Sequence, residues 1–161
     1  MQLSNSQKNA LRTAILAEAA LSALVQARND PAIANYCNAD ANPVQKVWKD
    51  SMSSSALFDA TSLNDYIGRS AAERQAYDLL MSVGTVDPTR ASIRNGVVNI
   101  FSGPTNSGSR GTILTAMTRN ASWLEQKLGG TPQTADTVTA WKAVAYGPIS
   151  VSEISDLLNG A

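Results

Sequence analysis

Any chemistry performed by this chain would have to run on carboxylates, hydroxyls and amines, because it contains no histidine and one cysteine, Cys37. Histidine is the usual general base near neutral pH and, with cysteine, the usual ligand of transition metals. A Ser-His-Asp arrangement therefore lacks its base, and a Ser-Lys pair would need a desolvated lysine that no local pattern provides. A glycosidase needs two carboxylates flanking one bond. The four glutamates are Glu18, Glu73, Glu125 and Glu153. Glu73 and Glu153 each follow a serine by three positions, Ser70 and Ser150, where they read as capping-box residues. Glu18 is not followed by Asp and Thr at the spacing that small helical lysozymes show. The expectation is a protein that is not an enzyme, with no cofactor and no metal site.

Two further features could bind charge. The stretch SGPTNSGSRG, Ser102 to Gly111, is rich in glycine and precedes a helix start at Thr112, which could turn backbone amides toward an anion. Its spacing is not that of a P-loop and it has no GK[ST], so it reads as a flexible loop. Arg90 and Arg94 stand one helical turn apart, and Arg110 lies in that loop. They are the candidate interface residues, either as a solvated face or as a local basic patch that meets an acidic neighbouring subunit or packaged DNA. From Val86 to Asn120 the chain carries Arg90, Arg94, Arg110 and Arg119 against Asp87 alone.

Thirteen basic and thirteen acidic residues cancel, so no global field attracts nucleic acid or an anionic membrane. The hydrophobic fraction is 43%, but 24 of those residues are alanine and only nine are aromatic, which predicts a thin core built from close helix contacts. One cysteine cannot form an internal disulfide, in keeping with assembly inside a cell, and Cys37 is expected to pack. The apolar run from Leu11 to Val25 is interrupted by Arg12 and Glu18 and lacks a cleavage-site pattern. It reads as neither a signal peptide nor a membrane span.

Helix punctuation organises the rest. Ser6 to Arg28 has no internal Gly or Pro and reads as one helix. Leu11, Ile15, Leu16, Leu21, Leu24 and Val25 cover most of its wheel, which suits either a central helix of its own domain or a helix at a subunit interface. Asp30 and Pro31 open a short helix that stops near Asn38, followed by a loop from Ala39 to Pro43. Val44, Val47 and Trp48 recur at helical spacing, and a further helical turn after Ser51 to Ser55 would bury Leu57 and Phe58. Ser70 and Glu73 start a helix whose stripe is Ala72, Ala76, Leu79, Leu80 and Val83, closed by Gly84. Asp87 and Pro88 start the next, with Ile93, Val97, Ile100 and Phe101 on one face, ending at Gly103 and packing antiparallel to its predecessor.

Thr112 to Leu128 reads as one helix carrying Ile113, Met117, Ala121, Leu124 and Leu128. Val138, Trp141, Val144 and Tyr146 fit neither period, leaving open a helix begun at Pro132 or a short extended piece. Ser150 and Glu153 open a last helix through Ile154, Leu157 and Leu158 to Gly160. The fold class that follows is mainly α: a single-domain helical bundle of about five to seven helices over residues 1–161, with a flexible loop at 102–111 and room for one short β segment near 140–146.

The run GTVDPTRASIRNGVVNIFSG, Gly84 to Gly103, resembles a block found in small proteins of tailed-bacteriophage genomes, with an Asn-Pro or Asp-Pro helix start, an Arg-Ala/Asn-Gly core and an aromatic residue before Gly. NDPAIANYCN at Asn29 to Asn38, the VWK triplet at Val47 to Lys49 and the pattern at Ile149 to Ile154 follow in the matching order. The resemblance implies a structural, morphogenesis-cluster protein of the virion, assembled in the host cytoplasm, without a membrane or a small-molecule substrate. A head-tail connector, a neck adaptor forming a ring below the portal, is the first expectation. Its partners would be copies of itself, portal, neck or tail proteins, and packaged DNA. A capsid-decorating or tail-attachment protein comes second, and a small nucleic-acid-binding phage protein third.

Overall fold

The N-terminal alanine-rich run breaks in the middle. In the structure, a computed structural model that describes residues 3–103, 107–142 and 147–159, α1 (Asn5–Ala17) ends where Glu18 turns extended (φ −80°, ψ 111°). A 3-10 turn at Ala19–Leu21 and α2 (Ser22–Gln26) follow. The wheel that looked apolar all round is thereby resolved, since the break lets Leu11, Ile15 and Leu21 all reach the core while Leu16 stays exposed. The remaining elements are α3 (Asp30–Asn38), β1 (Lys46–Trp48), β2 (Met52–Ser53), α4 (Ser54–Asp59), α5 (Leu63–Ile67), α6 (Ala71–Ser82), β3 (Thr85–Val86), α7 (Ala91–Ile100), α8 (Ser107–Ala116), β4 (Thr118–Asn120), α9 (Trp123–Leu128), β5 (Pro132–Ala135), β6 (Val138–Lys142) and α10 (Val151–Asn159).

This corrects the expected fold class. The described residues form ten α-helices, a four-stranded mixed sheet and a two-stranded sheet, an α/β fold and not a mainly α bundle of five to seven helices with one short β segment. The physical reason lies in long-range pairing. Val47 and Trp48, which recur at helical spacing with Val44, form β1 because Val47 lies opposite Trp141 and Trp48 opposite Lys142 in a parallel ladder with β6. Residues 132–142 are a hairpin in which Pro132 faces Trp141 and Ala135 faces Val138. Asp136 turns it at φ 51°, a conformation Asp tolerates better than most residues. Pro132 sits on β5, an edge of the strand order β4-β1-β6-β5, where a missing N–H costs no ladder bond. Val144 and Tyr146, part of the same ambiguous segment, and Gly160, the expected end of the last helix, lie outside the described residues.

Two compact units arise. The first comprises Met1–Gln45, Asn120–Gly130 and Val144–Ala161 and is helical, its core formed by Leu11, Ile15 and Leu21 with Ile33 and Cys37 of α3, Trp123 and Leu124 of α9, and Ile154 of α10. Cys37 is fully buried, and burial pushes its thiol up to about 12. The helix expected from Thr112 to Leu128 is here interrupted by β4. Ser122 restarts it as α9, its hydroxyl accepting the Glu125 N–H and the Glu125 carboxylate accepting the Ser122 N–H.

The second unit comprises Lys46–Arg119 and Thr131–Ala143. Its core gathers Trp48, Leu57, Tyr77, Val97, Phe101 and Ile113, with the Tyr77 and Phe101 rings edge to face at 5.6 Å. β2 and β3 pair antiparallel, Met52 opposite Val86. α7 follows an N-cap at Arg90 and not at Asp87, whose carboxylate instead accepts the Thr89 N–H in a turn. Residues 107–111 of the expected loop form the first turn of α8, and residues 104–106 lie outside the described residues.

α6 starts where the serine-glutamate spacing predicts. The Ser70 hydroxyl accepts the Glu73 N–H at 3.3 Å, and the Glu73 carboxylate accepts from the Ser70 N–H at 2.8 Å and hydroxyl at 2.7 Å. These bonds to Ser70, with help from Arg69, hold the Glu73 carboxyl below its ordinary range. Ser70→Ala is expected to cost about 1 kcal/mol in urea unfolding. Because the folded value is depressed, the Glu73 contribution is present above the ordinary glutamate pKa and fades as pH falls through the depressed value. The difference between wild type and Ser70→Ala should therefore shrink in acid.

Candidate functional site

α7 carries two of the three candidate arginines and turns them in different directions. Arg90, at the N-cap, is exposed. Arg94, one turn later, is only 3% exposed and lies over the Trp48 ring at 4.7 Å. Its guanidinium donates to the Pro88 carbonyl at 2.6 Å and to Gln133 Oε1 at 2.8 Å. Burial lowers its pKa from the ordinary arginine value, and Asp87 opposes that shift. Arg110, on α8, pairs with Asp136 at 2.9 Å and donates to the Phe101 carbonyl at 3.2 Å. Of the three, only Arg90 points into solvent. Arg94 and Arg110 tie α7 and α8 to the β5–β6 hairpin.

The carboxylates are likewise committed to structure. Asp65 accepts the backbone N–H of Ser109 at 3.2 Å and its hydroxyl as well, while the Ser109 Oγ accepts the Ser62 N–H at 2.9 Å. At the opposite end of α8, Lys49 Nζ donates to the Ala116 carbonyl at 2.7 Å. An anion at the N-terminus and a cation at the C-terminus both complement the helix dipole. In the first unit, Glu18 accepts from the Trp123 indole at 3.3 Å and lies 3.7 Å from Lys127 Nζ. Glu153 accepts the Ser150 N–H at 2.9 Å. Among the described residues no group of three or more His, Cys, Asp or Glu is placed to hold a metal ion. No described helix is long and apolar enough to cross a membrane.

What stands out on the surface is apolar. Eight large hydrophobic residues among those described are exposed, and five of them, Phe58, Leu63, Ile67, Leu79 and Val83, fall on or just after α4, α5 and α6 of the second unit. Leu79 and Val83 are 69% and 60% exposed. The sequence places both in a core stripe and Phe58 in the core beside Leu57. In the structure α6 instead directs Tyr77 inward, with Leu80 and Met81 half-buried beside it. The Tyr77 hydroxyl shares a hydrogen bond with Thr61 at 2.8 Å. α6 thus has two apolar faces, and the larger aromatic surface takes the core. The charge pattern of α6 gives no signal for this, because Glu73, Arg74 and Asp78 flank the inward Tyr77 and leave the exposed Leu79 face without charge.

Comparison of the chain with protein-family models, curated proteins and solved structures finds no match in any of the three.

Proposed function

We propose that this chain is a non-enzymatic structural subunit of a tailed-bacteriophage particle, placed at the head-tail junction as a connector and assembled from several copies into a ring below the portal. The observation that carries the reading is the concentration of exposed apolar side chains on α4, α5 and α6. A surface of this kind on one unit gains free energy when neighbouring subunits cover it. Closed rings of identical subunits are a common way to provide such neighbours. The likeness of Gly84 to Gly103 to a block of tailed-phage proteins supplies the biological setting.

The test is the particle. Mass spectrometry of purified virions is expected to find this polypeptide in several copies, and a cryo-EM map to place it between head and tail. Particles assembled without it should accumulate as separate heads and tails. Absence of the polypeptide from purified virions would overturn the proposal, as would turnover of a substrate by the isolated protein.

A further inference from the structure

We infer that the outward face of α6 is a contact with a second copy of this chain, the two α6 helices packing antiparallel about a local two-fold axis between Tyr77 and Asp78. The inference rests on the reading above only in requiring copies that associate, and it names a two-fold contact additional to the heterologous contacts that close a ring. The face consists of Ala72, Ala76, Leu79 and Val83, spaced four, three and four residues apart. All four are exposed, and the spacing is that of a coiled-coil seam. It extends over about 16 Å of helix.

Charge selects the occupant. Every charged side chain of α6 is engaged within its own unit: Glu73 with Ser70 and Arg69, Arg74 with the Ile67 carbonyl at 3.3 Å, Asp78 with the Tyr66 hydroxyl at 2.9 Å. The outward face has none, only Gln75 and Ser82 beside the apolar seam. Nucleic acid, an anionic membrane or a charged helix would bury charge against a surface that cannot answer it. A second α6 brings a face as neutral as the first.

Size selects the orientation. In an antiparallel pair centred between Tyr77 and Asp78, Ala76 of one copy meets Leu79 of the other, and Ala72 meets Val83. Each large side chain enters the space left by a small one, and the pairing repeats on both sides of the axis as an isologous contact requires. Phe58, Leu63 and Ile67 remain outside this contact and are available to those that close a ring.

Sedimentation of the purified full-length protein tests this apart from any particle. Wild type is expected to dimerise. Leu79→Glu, at an exposed position, is expected to keep its circular dichroism and to dimerise at least about tenfold more weakly. Register is tested with Ala76→Cys and Leu79→Cys, mixed in the presence of oxidised glutathione. The mixture should form a disulfide-linked dimer that neither variant forms alone, and Cys37, fully buried, does not compete. A monomeric wild type at about 100 times the micromolar range of ordinary association would overturn the inference. So would a dimer insensitive to Leu79→Glu, or cross-linking of the single variants as efficient as that of the mixture. These results leave the virion measurement untouched, so the two proposals fail separately.

Discussion

Arg94→Ala is expected to destabilise the second unit by about 3 kcal/mol, a large share of the 5 to 15 kcal/mol that holds a typical domain folded. The guanidinium is nearly inaccessible and makes no ion pair with a described residue, Asp87 acting on it only at longer range. Its charge is balanced by the Trp48 face, the Pro88 carbonyl and Gln133 Oε1. Truncation removes a desolvated cation–π contact of about 2 kcal/mol, strands a carbonyl whose charged donor is gone, and leaves a void beside a fully buried indole. Offsetting this, the cost of desolvating the cation is recovered. Arg94→Lys should restore less than half of the loss, since one ammonium cannot stack on the ring while reaching two acceptors in the guanidinium plane. Arg94→Met, which keeps the stem packed on Trp48 without burying charge, should be milder than Arg94→Ala. Urea unfolding followed by circular dichroism checks all three. A neutral Arg94→Ala would mean that the buried cation is already as costly as it is useful.

The same arginine shows where sequence reading stops. Arg90 and Arg94 are one turn apart, which suggests a shared solvated face. Arg94 is drawn inward by Trp48 and Gln133, 46 and 39 positions away in the chain by simple difference of their numbers. Elements governed by neighbours in sequence were legible: α6 and α10 start where Ser70 with Glu73 and Ser150 with Glu153 predict, and α3 opens at Asp30 and Pro31, although Asn29 and not the expected Asp30 caps it. Elements governed by distant partners were not. Lys46–Trp48 becomes a strand because β6 and β4 lie on either side of it, and no local property of Val47 announces Trp141. Ser122 and Glu125 form a capping box as complete as the other two. It was hidden because Ile113, Met117, Ala121, Leu124 and Leu128 continue a helical stripe straight through β4. The candidate contact face was half legible. The apolar stripe of α6 was visible, but whether Tyr77 or Leu79 would face the core depended on Thr61 and Phe101, which the spacing within α6 does not contain.

Asn38→Ala is expected to cost the first unit about 2 to 3 kcal/mol and to loosen α10 before the rest of the unit unfolds. Asn38, the last residue of α3, treats one distant residue as a strand partner would. Its Nδ2 donates to the Ile149 carbonyl at 2.9 Å and its Oδ1 accepts the Ile149 N–H at 2.8 Å. Ile149 is buried, so neither peptide group can turn freely to water once the amide is removed. Two hydrogen bonds of about 1 kcal/mol each are lost, with a further penalty for peptide groups left unsatisfied. α10 starts two residues later and packs on α3 through Ile154 and Leu157, so the clamp sets where that helix enters the core. Asn38→Asp separates the two bonds: a carboxylate still accepts the N–H but places a second oxygen against the Ile149 carbonyl. It should therefore be as damaging as alanine near neutral pH and should recover part of the loss in acid, where a protonated carboxyl can donate. Hydrogen exchange of the α10 amides, read beside urea unfolding, distinguishes local release from global loss. Protection in α10 that stays at the wild-type level in Asn38→Ala would show that side-chain packing alone fixes the helix.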